Sequence, residues 1–147
     1  MDEFIKKRIN ILFQNIENIA DSQTAEKILE ENGKYCLRNG LWWEKVIEVK
    51  KLIDDKKNIN KILSLFNERN VGGGKLTQKG NTIIGYYDIK CPCPIKNEMG
   101  IDSRLFCKCT QGWIKEAFET ILEQKVTVKL TKTQVWGDSI CEFIVEM

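Results

Sequence analysis

Residues 107–147 read "CKCTQGWIKEAFETILEQKVTVKLTKTQVWGDSICEFIVEM", and the period of their apolar residues changes partway along. Ile114, Phe118, Ile121 and Leu122 recur at three- and four-residue spacing. That spacing predicts a helix running to Gln124, with Thr110 as its N-cap and Trp113 beside the buried stripe. Val126, Val128 and Leu130 then alternate with polar residues, the period of a half-buried strand. "VWGDS" (135–139) makes a turn, and Cys141, Phe143 and Val145 share one face of a final strand.

Upstream, "KLTQKGNTIIGYYDIKC" (75–91) reads as a hairpin turning at Gly80-Asn81, with a longer strand over Thr82 to Cys91. Pro92 and Pro94 end that strand, because proline has no N–H for the ladder. The first half is helical. Ile5, Ile9, Leu12, Ile16 and Ile19 form one stripe from Phe4 to Ala20. Asp21 or Ser22 caps a second helix through Ala25, Ile28 and Leu29, and Asn32-Gly33 stops it. A third helix fits Leu41 to about Ile53, with Trp42, Val46, Val49 and Ile53 inward. Asn58 caps a fourth that carries Ile59, Ile62, Leu63 and Phe66. Gly72, Gly73 and Gly74 separate the halves. They are not a phosphate loop, because Leu76 stands where Ser or Thr is required. The expected fold is α+β: N-terminal helices packed on a mostly antiparallel sheet of order strand-strand-helix-strand-strand. The 147 residues suit a single domain, 1–147, with a helical half over about 1–70 and a ββαββ half over about 74–147.

Composition narrows the function. A net charge of +2 argues against a nucleic-acid partner. No apolar run approaches the ~20 residues of a membrane span, and the N-terminus lacks a signal-peptide core. The expected location is cytoplasmic, where thiols stay reduced. The count of histidines is 0, so an intrachain Ser-His-Asp or Cys-His arrangement is excluded. Asp88, Glu98, Asp102, Glu119 and Asp138 are scattered and form no acid–base constellation.

Four of the 6 cysteines fall in "CPCPIKNEMGIDSRLFCKC" (91–109). In extended backbone, residues i and i+2 face the same side. Cys91 with Cys93, and Cys107 with Cys109, can each present two sulfurs together, and two such pairs would supply a tetrahedral zinc site. An iron–sulfur cluster needs the same thiolates and ranks behind zinc. A close thiol pair could instead cycle to a disulfide, or the thiols could be small packing residues. Taken alone, Cys36 and Cys141 read as buried packing residues. Trp42, Trp43, Tyr86, Tyr87, Trp113, Phe118, Trp136 and Phe143 read as core, or as the lining of an apolar pocket between helices and sheet.

The C-terminal run resembles the 4-vinyl reductase (hydrocarbon-binding) domain superfamily, through Gly112, Ala117, Phe118, Glu119, Gly137 and Cys141 in order. With "GKYCLRNG" (33–40), "CPCP" and "CKC…GW", it is most similar to an uncharacterised bacterial Cys-rich family within that group. The final Gly-Asp-x-x-Cys-x-Phe is also similar to amino-thiazoline-carboxylate hydrolase-like proteins. The resemblance implies a small-molecule sensor or a trafficking-complex scaffold, often dimeric. In phenol-sensing members zinc is held by a Cys before the helix, a Glu-x-x-Cys on the next strand and the Cys after the turn. Cys107 and Cys141 match the first and last of these, whereas Leu130 and Thr133 occupy the other two places. The resemblance therefore adds Cys141 to the candidate metal ligands Cys91, Cys93, Cys107 and Cys109.

The resulting expectation is a cytoplasmic sensor-like domain that binds an apolar small molecule, carries a Cys-rich zinc site and pairs as a homodimer. A hydrolase of the amino-thiazoline-carboxylate type ranks lower, since a nucleophilic cysteine would lack a histidine base. A non-catalytic dimerisation scaffold is the third expectation.

Overall fold

A computed structural model describes residues 2–88, 93–101 and 103–147. Helices α1 (Glu3–Ile19), α2 (Ser22–Arg38), α3 (Trp42–Leu52) and α4 (Ile59–Glu68) come first. The hairpin β1 (Thr77–Lys79) and β2 (Thr82–Tyr87) follows, then the short α5 (Pro94–Met99) and the long α6 (Lys108–Leu122). Strands β3 (Thr127–Lys132) and β4 (Cys141–Glu146) close the chain. The sheet order is β1-β2-β4-β3 with every neighbour antiparallel, so the expected α+β class holds. No helix among the described residues is long and apolar enough to cross a membrane.

Local chemistry explains most boundaries. Asp2, Asp21 and Asn58 each accept a hydrogen bond from a first-turn N–H of α1, α2 and α4. Gly80, at φ +61°, makes the two-residue turn that sets Lys79 opposite Thr82. After α4, Asn67 pairs through its amide with both the N–H and the C=O of Leu76, as a strand neighbour would. This holds the glycine-rich turn tight against β2. A Cβ on Gly73 would stand 2.3 Å from the Tyr86 carbonyl oxygen, so only glycine fits there.

The main core lies between the sheet and helices α2, α3, α4 and α6. Phe66, Phe118 and Phe143 are fully buried there with Val46, Val49, Ile62 and Ile83. Phe66 meets Phe118 edge-on at 5.4 Å. Gly85 sits opposite Phe143 in the β2–β4 register, and its missing side chain is the space the Phe143 ring fills. Phe118 and Phe143 are thus core residues, and Trp42, Trp43, Tyr87 and Trp113 pack partly buried around them.

Four expectations are corrected. Gly33 does not stop α2; the helix runs on to Arg38. Glycine is needed there because α6 crosses α2 backbone to backbone, and a Cβ on Gly33 would fall 1.8 Å from the Cys109 carbonyl oxygen. Thr110 does not cap α6, which begins at Lys108 as a continuation of the 3-10 turn Arg104–Cys107. Pro94 opens α5, where its missing N–H costs nothing at the first helical position. Within its described residues β2 ends at Tyr87; the rest of the expected strand, residues 89–91, lies outside the described residues.

Candidate functional site

The segment from Cys93 to Cys109 builds a second, smaller apolar cluster away from the main core. Cys93 is the extended residue before α5, and Gly100 at φ +61° turns the chain back after it. Met99, Ile101 and Phe106 are buried together, with Ile9, Phe13, Cys93 and Cys109 partly buried around them. Helix α1 closes this cluster from outside. Phe13 meets Phe106 edge-on at 4.9 Å and 85°. The Asn10 amide donates to the Met99 carbonyl oxygen at 3.3 Å, and the Ser103 hydroxyl donates to a Glu17 carboxylate oxygen at 2.8 Å. Helix α1 contributes no fully buried residue, so these few contacts and the partly buried Ile9, Phe13 and Ile16 hold it down.

The cysteines fall in separate surroundings. The Cys109 sulfur accepts a hydrogen bond from the Asn32 side-chain amide at 3.3 Å, where α6 crosses α2. Burial pushes its thiol up to about 11, against the lowering effect of Asn32; nearby Cys93 and Cys36 raise it slightly further. Cys36 lies one helical turn beyond Asn32 and is exposed, which corrects the expectation of a buried packing residue. Cys107 is buried at the end of the turn before α6. Cys141 opens β4, and its sulfur accepts from the Gln134 N–H at 3.4 Å. Thr133, at one of the zinc positions that the resemblance implies, accepts the Trp136 N–H at 3.1 Å and so serves the turn. Among the described residues no group of three or more His, Cys, Asp or Glu side chains is placed to hold a metal. Cys91 lies outside the described residues.

A separate open cleft of about 840 Å³ runs between α2 and α6. Its charges are matched: Arg38 with Glu116, Lys34 with Glu31, Lys125 with Glu119, and Glu123 with Lys50 and Lys56 from outside the lining. The Arg38 Nε donates to Glu116 at 2.7 Å, neutralising a buried carboxylate. Such a surface attracts neither anions nor cations strongly.

Sequence reasoning did not single out Phe13, Met99, Ile101, Phe106, Asn32 or Cys36 as a site. The signal available was compositional only: Met99, Ile101 and Phe106 stand with Ile95 and Leu105 as apolar residues inside a Cys- and Pro-rich stretch that has no period.

Residues 9–146 match the model of a family of unknown function, DUF6144. No curated protein matches the sequence significantly. Among the solved structures that share the fold are two of known ligand. One is a trafficking protein particle complex subunit 3 from Naegleria fowleri covalently bound to palmitic acid. It is 15% identical, covers 99% of this chain and 96% of its own, and has a TM-score of 0.55. The other is the phenol-responsive sensory domain of the transcription activator PoxR with phenol. It is 7% identical, covers 96% of this chain and 73% of its own, and has a TM-score of 0.54. At these identities the likeness establishes the fold alone.

Proposed function

The chain belongs to the DUF6144 family, and from its fold we propose that it is a small-molecule-binding, sensor-like domain for an apolar ligand. The observation that carries this reading is the cluster of Met99, Ile101 and Phe106 under α1. It is apolar, stands apart from the main core, and is covered by one helix with few contacts. The main core is filled by Phe66, Phe118 and Phe143. Two relatives in fold were solved with palmitic acid and with phenol, which supports an apolar ligand class. The C-terminal resemblance to the hydrocarbon-binding superfamily points the same way.

Binding is favoured over catalysis. The chain has 0 histidines, and a Cys109 thiol raised to about 11 stays protonated near neutral pH. A protonated thiol is a poor nucleophile, which weighs against the hydrolase reading.

Titration with phenol and with palmitate, followed by thermal unfolding, tests the proposal. A saturable rise in Tm is expected with one probe, because a ligand at 100 times its Kd adds about 2.7 kcal/mol to stability. Phe106→Ser should abolish the rise. No shift with either probe, or a shift unchanged in Phe106→Ser, counts against this seat.

A second reading, a thiolate zinc site, rests on the two Cys-x-Cys pairs of residues 91–109, of which Cys93 and Cys109 border the same small cluster. It needs Cys91 as a further ligand. Zinc content of protein purified without chelator decides it: near one equivalent, lost in both Cys91→Ser and Cys109→Ser, supports the site. Less than a tenth of an equivalent removes it.

A further inference from the structure

A polar pair borders the small cluster where α1, the start of α2 and the turn before α6 meet. Glu17 stands one helical turn beyond Phe13, so it shares the face of α1 that covers the cluster. Ser103 is buried, and in the chain it falls between two residues of that cluster, Ile101 and Phe106. It opens the 3-10 turn Arg104–Cys107, yet its side chain does not cap that turn. The hydroxyl goes to a Glu17 carboxylate oxygen instead, at 2.8 Å. Beside this pair an open cleft of about 500 Å³ runs from Glu17 between Ser22, Ala25 and Glu26 of α2 and the turn at Leu105. Leu105 is the chain neighbour of Phe106, which puts the cleft next to the cluster.

The two carboxylates of the cleft are not matched alike. Lys108 pairs with Glu26 at 3.6 Å, and the Gln111 amide donates to Glu26 as well. Glu17 meets a neutral hydroxyl and, among the described side chains, is in no ion pair. The cleft therefore carries one more acid than its own lysine offsets.

We propose that Glu17 selects the ligand by its polar head: the site takes an apolar molecule whose one polar end donates a hydrogen bond, an alcohol or an amine, and rejects a carboxylate. This rests on the ligand reading given above and adds the residue that discriminates. The head lies in the cleft against Glu17, and the apolar body passes Leu105 toward Met99, Ile101 and Phe106. An ionised Glu17 only accepts hydrogen bonds, and Ser103 uses one of its oxygens, so a hydroxyl or ammonium finds an acceptor in the other. A fatty-acid carboxylate has no proton to give near neutral pH and sets like charge against Glu17.

Isothermal titration calorimetry of the full chain near neutral pH, with 1-octanol, octylamine and octanoate, tests the proposal. The three probes share a chain length and differ in the head. Octanol and octylamine should each bind about 10-fold tighter than octanoate or more, the worth of one hydrogen bond to a charged group. Glu17→Gln keeps an acceptor for Ser103 and loses the charge. It should strengthen octanoate and shrink the preference to about 3-fold or less. Glu3→Gln, which removes a carboxylate at the other end of α1, should leave the preference unchanged. The wild-type preference remains a test by itself should Glu17→Gln fail to fold. Octanoate binding as tightly as octanol overturns selection by Glu17 and leaves the ligand reading standing. So does a preference that persists in Glu17→Gln, or one that Glu3→Gln abolishes. Binding of none of the three probes removes the ligand reading and the selection together.

Discussion

Gly33 of α2 lies directly on the backbone of Cys109 in α6, and the contact is reciprocated three residues along each helix. A Cβ on Gly33 would stand 1.8 Å from the Cys109 carbonyl oxygen, and one on Gly112 would stand 2.0 Å from the Glu30 carbonyl oxygen. The two helices therefore cross with no side chain between them. This crossing places Asn32 against the Cys109 sulfur and holds the start of α6, and with it the small apolar cluster, against the helical layer.

Alanine at either glycine should be costly. On an exposed helix face, glycine to alanine favours the helix by ~1 kcal/mol. Here a methyl meets a backbone carbonyl that cannot rotate away. Gly33→Ala and Gly112→Ala should each destabilise by about 3 kcal/mol or more, read as a lower urea midpoint. A midpoint unchanged or raised would show that the helices do not approach this closely.

The sheet offers a matched comparison. A Cβ on Gly85 would stand 2.3 Å from the tip of the Phe143 ring, whereas nothing lies within 4 Å of one on Gly80. Gly85→Ala should cost about 1–3 kcal/mol through displacement of Phe143. Gly80→Ala should cost only the left-handed backbone penalty, about 1 kcal/mol. Denaturant titration of the two variants side by side checks the order.

Helix α1 depends on Phe13. Phe13→Ala removes the edge contact with Phe106 and should loosen α1 without unfolding the main core. Amide hydrogen exchange within residues 3–19 should accelerate by about 10-fold, the effect of roughly 1.4 kcal/mol, while amides of β4 keep their protection. Equal acceleration in β4 would mean that α1 and the main core unfold as one unit.

Cys109 predicts a pH effect. Its folded thiol is raised from the usual 9.0 to about 11, chiefly by burial. A raised acid contributes stability that is complete below pH 9 and lost as pH rises through 11, because the unfolded thiol ionises first. Wild type should thus lose more stability between pH 9 and 11 than Cys109→Ala does. Cys109 should also react more slowly with iodoacetamide at pH 8 than the exposed Cys36. Equal rates would contradict the burial.

Much of the fold was legible from local signals. The alternation of Val126, Val128 and Leu130, the Gly80-Asn81 turn and the Asn58 cap each depend on neighbours in sequence, and each appears in the structure. Gly33 was misread because a mid-helix glycine and a helix stop look alike locally. What separates them is the distant α6 backbone. The start of α6 was missed because no side chain caps it; the preceding 3-10 turn leads straight into it. The cluster under α1 was illegible for a similar reason. Met99, Ile101 and Phe106 follow no period, and Phe13 and Ile9 reach them from more than eighty residues away. For the thiols, Cys-x-Cys spacing drew attention to residues 91–109, yet the side chain that α2 brings to the Cys109 sulfur is the Asn32 amide.

The most direct test of the ligand account is a crystal structure grown with phenol or palmitate. The account predicts the probe's density between Phe13 of α1 and the Met99, Ile101 and Phe106 cluster, with α1 displaced outward from Phe106. A probe bound elsewhere, with Phe13 still edge-on to Phe106 over an undisturbed cluster, would contradict it.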